Sequence, residues 1–176
     1  MQITPPKLPL TDGVVTLRPP SERDLSAIKR AVHDPDVVRA FGRATSSAAD
    51  LLELNRRRWR NGSGATFAIC GADSDCVGHV FVNISDQGRG SVGYWLLPEA
   101  RGRGFATRSV RLISNWAFEE LGIARLQLLT DVTNVDSQGV AERAGFTREG
   151  VLRSFVQIGG RRLDYVMYSL LPTDRG

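Results

Sequence analysis

Cysteine, histidine and lysine are all scarce in this chain, and each scarcity closes off a class of function. Two cysteines, Cys70 and Cys76, and two histidines, His33 and His79, are too few and too scattered to close a zinc site, so no metal is expected and the thiols are read as free. His79 lies in the apolar run VGHVFVNI and reads as a packed strand histidine. No apolar stretch approaches the roughly 20 residues that a membrane helix needs, and no GxxxxGK[ST] phosphate loop occurs. The opening MQITPPKLPLTDG has neither a basic n-region nor an apolar h-region; no signal peptide and no membrane partner are expected, and a cytoplasmic location follows by default.

What the chain has is enough length for one domain with a real core, an ordinary share of apolar residues (41%), and an excess of arginine. Of its 23 basic residues only Lys7 and Lys29 are lysines, and the net charge of +4 favours anionic partners. The run RRRWR, Arg56 to Arg60, would suit nucleic acid, but it continues a helical pattern carrying Leu51, Leu52, Leu54 and Trp59. It reads as the solvated face of an amphipathic helix, and nucleic acid is not the expected partner.

VVTLRPP (14–20) reads as a short strand ending at prolines, and Ser21 with Asp24 as a capping-box start for the helix LSAIKRAVH, stopped by DPD at 34–36. A second helix spans about 47–60 and breaks at NGSG. ATFAIC and VGHVFVNI are neighbouring strands around the turn GADSD, and a hairpin at 86–90 leads into SVGYWLL. Pro98 cannot donate to a ladder, so ordered pairing is expected to fail there. A helix opening at Thr107 places Val110, Ile113, Ala117 and Leu121 on one face and stops at Gly122. IARLQLLT (123–130) is a strand and 134–144 a short helix ended by Gly145; SFVQI and RRLDYVMYSL are strands flanking the glycine pair 159–160.

The stretch RGRGFA, Arg101 to Ala106, lies between a strand and a helix. Glycines at 102 and 104 let backbone amides face outward where unpaired N–H groups and the positive end of the helix dipole favour phosphate, which makes this a pyrophosphate site. A formal GxGxxG at Gly88 to Gly93 precedes a strand instead of opening a helix, so it reads as a hairpin turn.

RGRGFA also fits the [QR]xxGx[GA] signature of the GNAT acyltransferase superfamily, with Arg101, Gly104 and Ala106 at the defining positions. The text from VGYWLLPEA to EGVLR, with TLRPPSERDL upstream, resembles the RimJ/RimL-type branch over residues 10–172. The resemblance implies a single α/β (α+β) domain whose mostly antiparallel sheet contains one splayed parallel strand pair. It implies transfer of an acetyl group from acetyl-CoA to a primary amine, either a protein N-terminus or a small molecule, with a homodimer possible by analogy. In residues, Arg101, Gly102, Arg103, Gly104, Phe105, Ala106 and Thr107 would wrap the CoA pyrophosphate, and Trp95, Leu96 and Leu97 would run beside the pantetheine arm. Asn134 would bind the pantetheine region, and Ser137 would lie near the sulfur as general acid. A pantetheine chain carrying two amides can satisfy backbone groups left open between splayed strands.

Two positions depart from the pattern. Where many relatives place Glu before the IGYW-like segment stands Ser91, and where others place Glu after GVLR stand Ser154, Phe155 and Val156. Asp131 is the nearest remaining base, and a water chain would also serve. A backbone N–H near Leu96 is the expected oxyanion donor. With no cysteine in the signature region, direct transfer is expected rather than an acyl-enzyme. Other readings stay open: another donor such as succinyl-CoA, or a non-catalytic module that binds CoA or, by its basic face, nucleic acid.

Overall fold

A computed structural model describes residues 3–41, 47–72 and 75–174. Its strands are β1 (Leu10–Thr11), β2 (Thr16–Arg18), β3 (Gly64–Cys70), β4 (Cys76–Ser85), β5 (Arg89–Leu96), β6 (Arg125–Asp131), β7 (Thr147–Ile158) and β8 (Arg161–Leu170). The helices are α1 (Leu25–Ala31), α2 (Pro35–Phe41), α3 (Ala48–Asn61), α4 (Phe105–Leu121) and α5 (Val135–Arg143). Among the described residues the eight strands join one sheet in the order β1-β2-β3-β4-β5-β6-β8-β7, in which only β5 and β6 run parallel. This is the mixed, largely antiparallel architecture expected from the sequence.

Strand periodicity sorts the core into two layers. Val80 and Val82 of β4 and Val92 and Leu96 of β5 turn to α4, where Val110, Ile113 and Ala117 meet them, all at most 8% exposed. Trp59, Phe67 and Trp116 close the end of this layer with ring centroids 5.1 to 5.7 Å apart. The alternate residues turn the other way: Trp95 packs on the α1 and α3 side and stacks on His79 at 4.7 Å. His79 is thus the packed strand histidine the sequence suggested, 3% exposed, and burial pushes its imidazole down to about 4. The arginine-rich α3 is the amphipathic helix expected, opened by a Ser47–Asp50 capping box.

Several boundaries move. Asp34-Pro35-Asp36 does not merely stop α1; it starts α2. Proline suits a first helical turn, and Asp34 Oδ1 accepts from the amides of Asp36 and Val37 at 3.0 and 3.1 Å. The strand read over 14–20 shortens to β2 and gains the partner β1, because prolines end it early. Helix α4 begins at Phe105, not Thr107. The strand SFVQI is the end of a longer β7, bent by a bulge at Ser154 (φ 54°) whose amide donates to Asp164 Oδ1 at 2.7 Å. Of the turn read at GADSD, residues 73 and 74 lie outside the described residues.

The parallel pair is short. Ladder contact between β5 and β6 covers Arg89 to Ser91 against Arg125 to Gln127, after which β6 follows β8 and β5 follows β4. The strands therefore part from Val92 onward, about six residues earlier than the split expected at Pro98, which instead opens a 3-10 turn at Pro98–Ala100.

Candidate active site

The parting leaves backbone groups open. The ladder to β4 continues to Leu97, whose N–H donates to Val77 O at 2.8 Å. Antiparallel pairing alternates, so the polar groups of Tyr94 and Leu96 turn away from β4 and toward β6, which has left. Leu96 O is taken up by the Arg101 guanidinium, Nη2 at 3.0 Å and Nε at 3.2 Å. The N–H groups of Tyr94 and Leu96 face the gap.

A second set of open donors lies at the start of α4. Gly102 (φ 70°) and Gly104 (φ 77°) hold left-handed backbone, and the first bond back along the helix is Arg108 N–H to Gly104 O at 3.1 Å. Among the described residues the Arg103 amide closes a turn over Arg101 and Gly102, and no protein acceptor takes the amides of Gly102, Gly104, Phe105, Ala106 or Thr107. Arg101 differs from its neighbours: its amide donates to Pro98 O at 3.2 Å, and its guanidinium reaches Asp34 and Asp36, each at 2.7 Å. Burial opposes ionisation of Asp34, but the Arg101 guanidinium and the Val37 and Asp36 amides outweigh it and hold the carboxyl below its usual range. Arg101 is therefore a strut from the glycine loop to α2, and the open amides begin at Gly102.

Both donor sets border a cavity of about 530 Å³ that also reaches Phe41 of α2, Asp131, Asn134, Ser137 and Tyr165. Asn134 caps α5, its Oδ1 accepting from the Ser137 amide at 3.1 Å. With Asn134 as the cap, the Ser137 hydroxyl is not spent on the helix end; it accepts from Tyr94 Oη at 3.2 Å. Asp131 Oδ1 accepts from the Thr133 amide and hydroxyl, both at 2.7 Å, in a turn after β6. Trp95 borders the cavity from the α1 side of the sheet.

Two residues named from the sequence stand apart. Leu97 is buried against Ala27 and Ala31, and its own N–H and C=O are bonded to Val77 and Ala100, so it has no edge to offer. The Arg103 guanidinium lies over the Phe105 ring, 4.9 Å from its centroid. Ser91, where the resemblance places a glutamate, accepts from the Asn83 amide at 3.4 Å. Tyr94 went unnoticed in the sequence, although its even spacing with Val92 and Leu96 was a usable signal for its facing. Asp34 and Asp36 carried none, being more than 60 positions from Arg101.

Among the described residues no His/Cys/Asp/Glu cluster could hold a metal, and no helix is long and apolar enough to cross a membrane. Residues 15–147 match the family described as Acetyltransferase (GNAT) domain. The chain is 35% identical over 104 residues to the putative ribosomal N-acetyltransferase YdaF of Bacillus subtilis (strain 168), covering 58% of this chain and 57% of that one. It is 27% identical to the uncharacterized N-acetyltransferase p20 of Bacillus licheniformis over 91% of this chain and 94% of that one. In fold it is similar to the Vibrio cholerae spermidine N-acetyltransferase solved with CoA and spermine, with a TM-score of 0.81 and 22% identity, over 93% of this chain and 98% of the other.

Proposed function

The chain belongs to the GNAT family of acetyltransferases, and from that membership we propose that it moves an acetyl group from acetyl-CoA to a primary amine by direct attack in a ternary complex. The observation that carries the reading is the group of open amides at Gly102 and from Gly104 to Thr107, set at the mouth of the cleft between β5 and β6. Outward N–H groups at a helix start suit a diphosphate, and the open N–H groups of β5 suit an extended chain with amides of its own. Asn134 Nδ2, whose partner oxygen is spent on the helix cap, is left to meet that chain.

Chemistry follows from the same walls. A neutral amine attacks the thioester carbonyl; the Leu96 N–H meets the developing oxyanion, a donor whose loss typically costs about 2.7–4 kcal/mol. Ser137 gives the departing sulfur its proton. The amine proton leaves to Asp131 Oδ2, the oxygen not held by Thr133, or to water in the cleft. Acceptors of two kinds fit the relatives' names: a ribosomal component, as in the name of the putative Bacillus subtilis enzyme, and spermidine, as in that of the Vibrio cholerae enzyme.

The test is a thiol-release assay with acetyl-CoA against a panel of peptide N-termini and polyamines. CoA release that requires an acceptor is expected. A burst of CoA before any acceptor is added would overturn direct transfer, and acetyl-CoA that neither raises the melting temperature nor turns over would overturn the activity.

A further inference from the structure

Tyr94 and Ser137 meet across the cavity, the phenol on the open edge of β5 and the serine in the first turn of α5, with 3.2 Å between their oxygens. Tyr94 donates and Ser137 accepts. A serine hydroxyl has one proton, and when its oxygen accepts from a neighbour that proton must point elsewhere. Among the described residues no protein group accepts it, and the Ser137 amide is already bound to Asn134.

We propose that Tyr94 is a positioning residue for proton delivery: by donating to Ser137 Oγ it turns the serine proton into the cleft, toward the departing sulfur. The proposal rests on the reading that a CoA thioester occupies this cleft. Burial pushes the Tyr94 phenol up and outweighs the opposing hydrogen bond with Ser137, with the Asp136 carboxylate adding to the rise and Arg143 pulling against it; the phenol therefore stays protonated and keeps a proton to donate. As the N–C bond forms, the C–S bond breaks with its electron pair going to sulfur, and the Ser137 proton passes to that sulfur. Water in the cleft takes the amine proton and restores the serine, so one proton moves in net from amine to thiol.

Bound CoA itself is the probe, and the thiolate absorbance of its complex is followed against pH. A hydroxyl proton aimed at sulfur favours the thiolate, so in the wild type the bound thiol should titrate below free CoA. Tyr94→Phe and Ser137→Ala should each move that titration up by about one unit, and the double variant no further, because both remove the same oriented proton. Tyr94→Phe should also lower kcat about tenfold with little change in KM for acetyl-CoA, which a merely structural tyrosine would not do. Should the phenylalanine variant fail to fold, Tyr94→Leu repeats the comparison. Tyr94→Phe titrating with the wild type, or the two shifts adding in the double variant, overturns the proposal and leaves acetyl transfer standing. Absence of CoA binding to the wild type overturns both.

Discussion

Replacing Gly104 by alanine separates the two demands made on the glycine loop. Gly104 sits at φ 77° just before α4, and a Cβ added there meets no atom within 4 Å. The penalty is therefore backbone strain alone, about 1–2 kcal/mol for an L residue in left-handed geometry. For a domain of this size each kcal/mol moves the melting temperature by about 2–4 °C, so a fall of about 2–8 °C is expected. If the loop escapes the strain by turning φ negative, at least one amide rotates away from the cleft. Loss of one hydrogen bond to a charged group, about 1.5–3 kcal/mol, weakens acetyl-CoA about 10- to 150-fold. Gly122 provides the control: it has φ 62° and equally open surroundings, but it ends α4 far from the loop. Scanning calorimetry and titration calorimetry on G104A and G122A give both quantities. G122A is expected to lose melting temperature alone, and G104A to lose either melting temperature, where the loop keeps its φ, or acetyl-CoA affinity, where it turns to escape the strain. Unchanged melting temperature together with unchanged acetyl-CoA affinity in G104A would refute the left-handed loop that holds the amides in place.

Other perturbations reach the rest of the fold. Asp24, 1% exposed, accepts from Arg18 at 2.6 and 2.8 Å and from the Ser21 amide at 2.8 Å; D24N leaves the guanidinium buried without its counter-charge and should cost about 3–5 kcal/mol in urea unfolding, a loss under about 1 kcal/mol contradicting the pairing. His79 is buried neutral with Nε2 unpartnered, so the unfolded chain binds the extra proton between pH 6.5 and about 4. Stability should fall with pH across that window by up to about 1.4 kcal/mol per unit, and His79→Leu should lose that component when unfolding is compared at about pH 7.5 and about pH 5. Hydrogen bonds from Arg125 and then Ser169 pull Glu149 down to about 2, so its contribution is complete above pH 4.5 and fades as pH falls toward 2. An acid titration of E149Q followed by circular dichroism should lack that part of the wild-type dependence, and identical curves would show that the pair adds nothing.

Local chemistry made most of this fold readable. Ser47, Gly62, Gly122, Asn134 and Gly145 mark helix ends because caps and left-handed stops are set by the residue itself. The strands followed from period-two patterning. What escaped depended on long-range geometry. The point where β5 and β6 part is fixed by twist and by β8 pairing with β6, neither of which is written in SVGYWLL. Helix α2 was hidden behind a proline that reads as a stop unless the following turn is known to be helical. In the site, the glycine loop announced itself, whereas the guanidinium of Arg101 looked free for ligand because its carboxylate partners come from a distant segment.

That strut carries an engineering consequence. Arg101 fastens the glycine turn to α2, and both border the same cavity, so the two walls share one mechanical joint. Grafting a relative's segment over 34–41 therefore disturbs the glycine loop as well unless it carries aspartates at both 34 and 36, and a graft that keeps them leaves the loop's anchor in place.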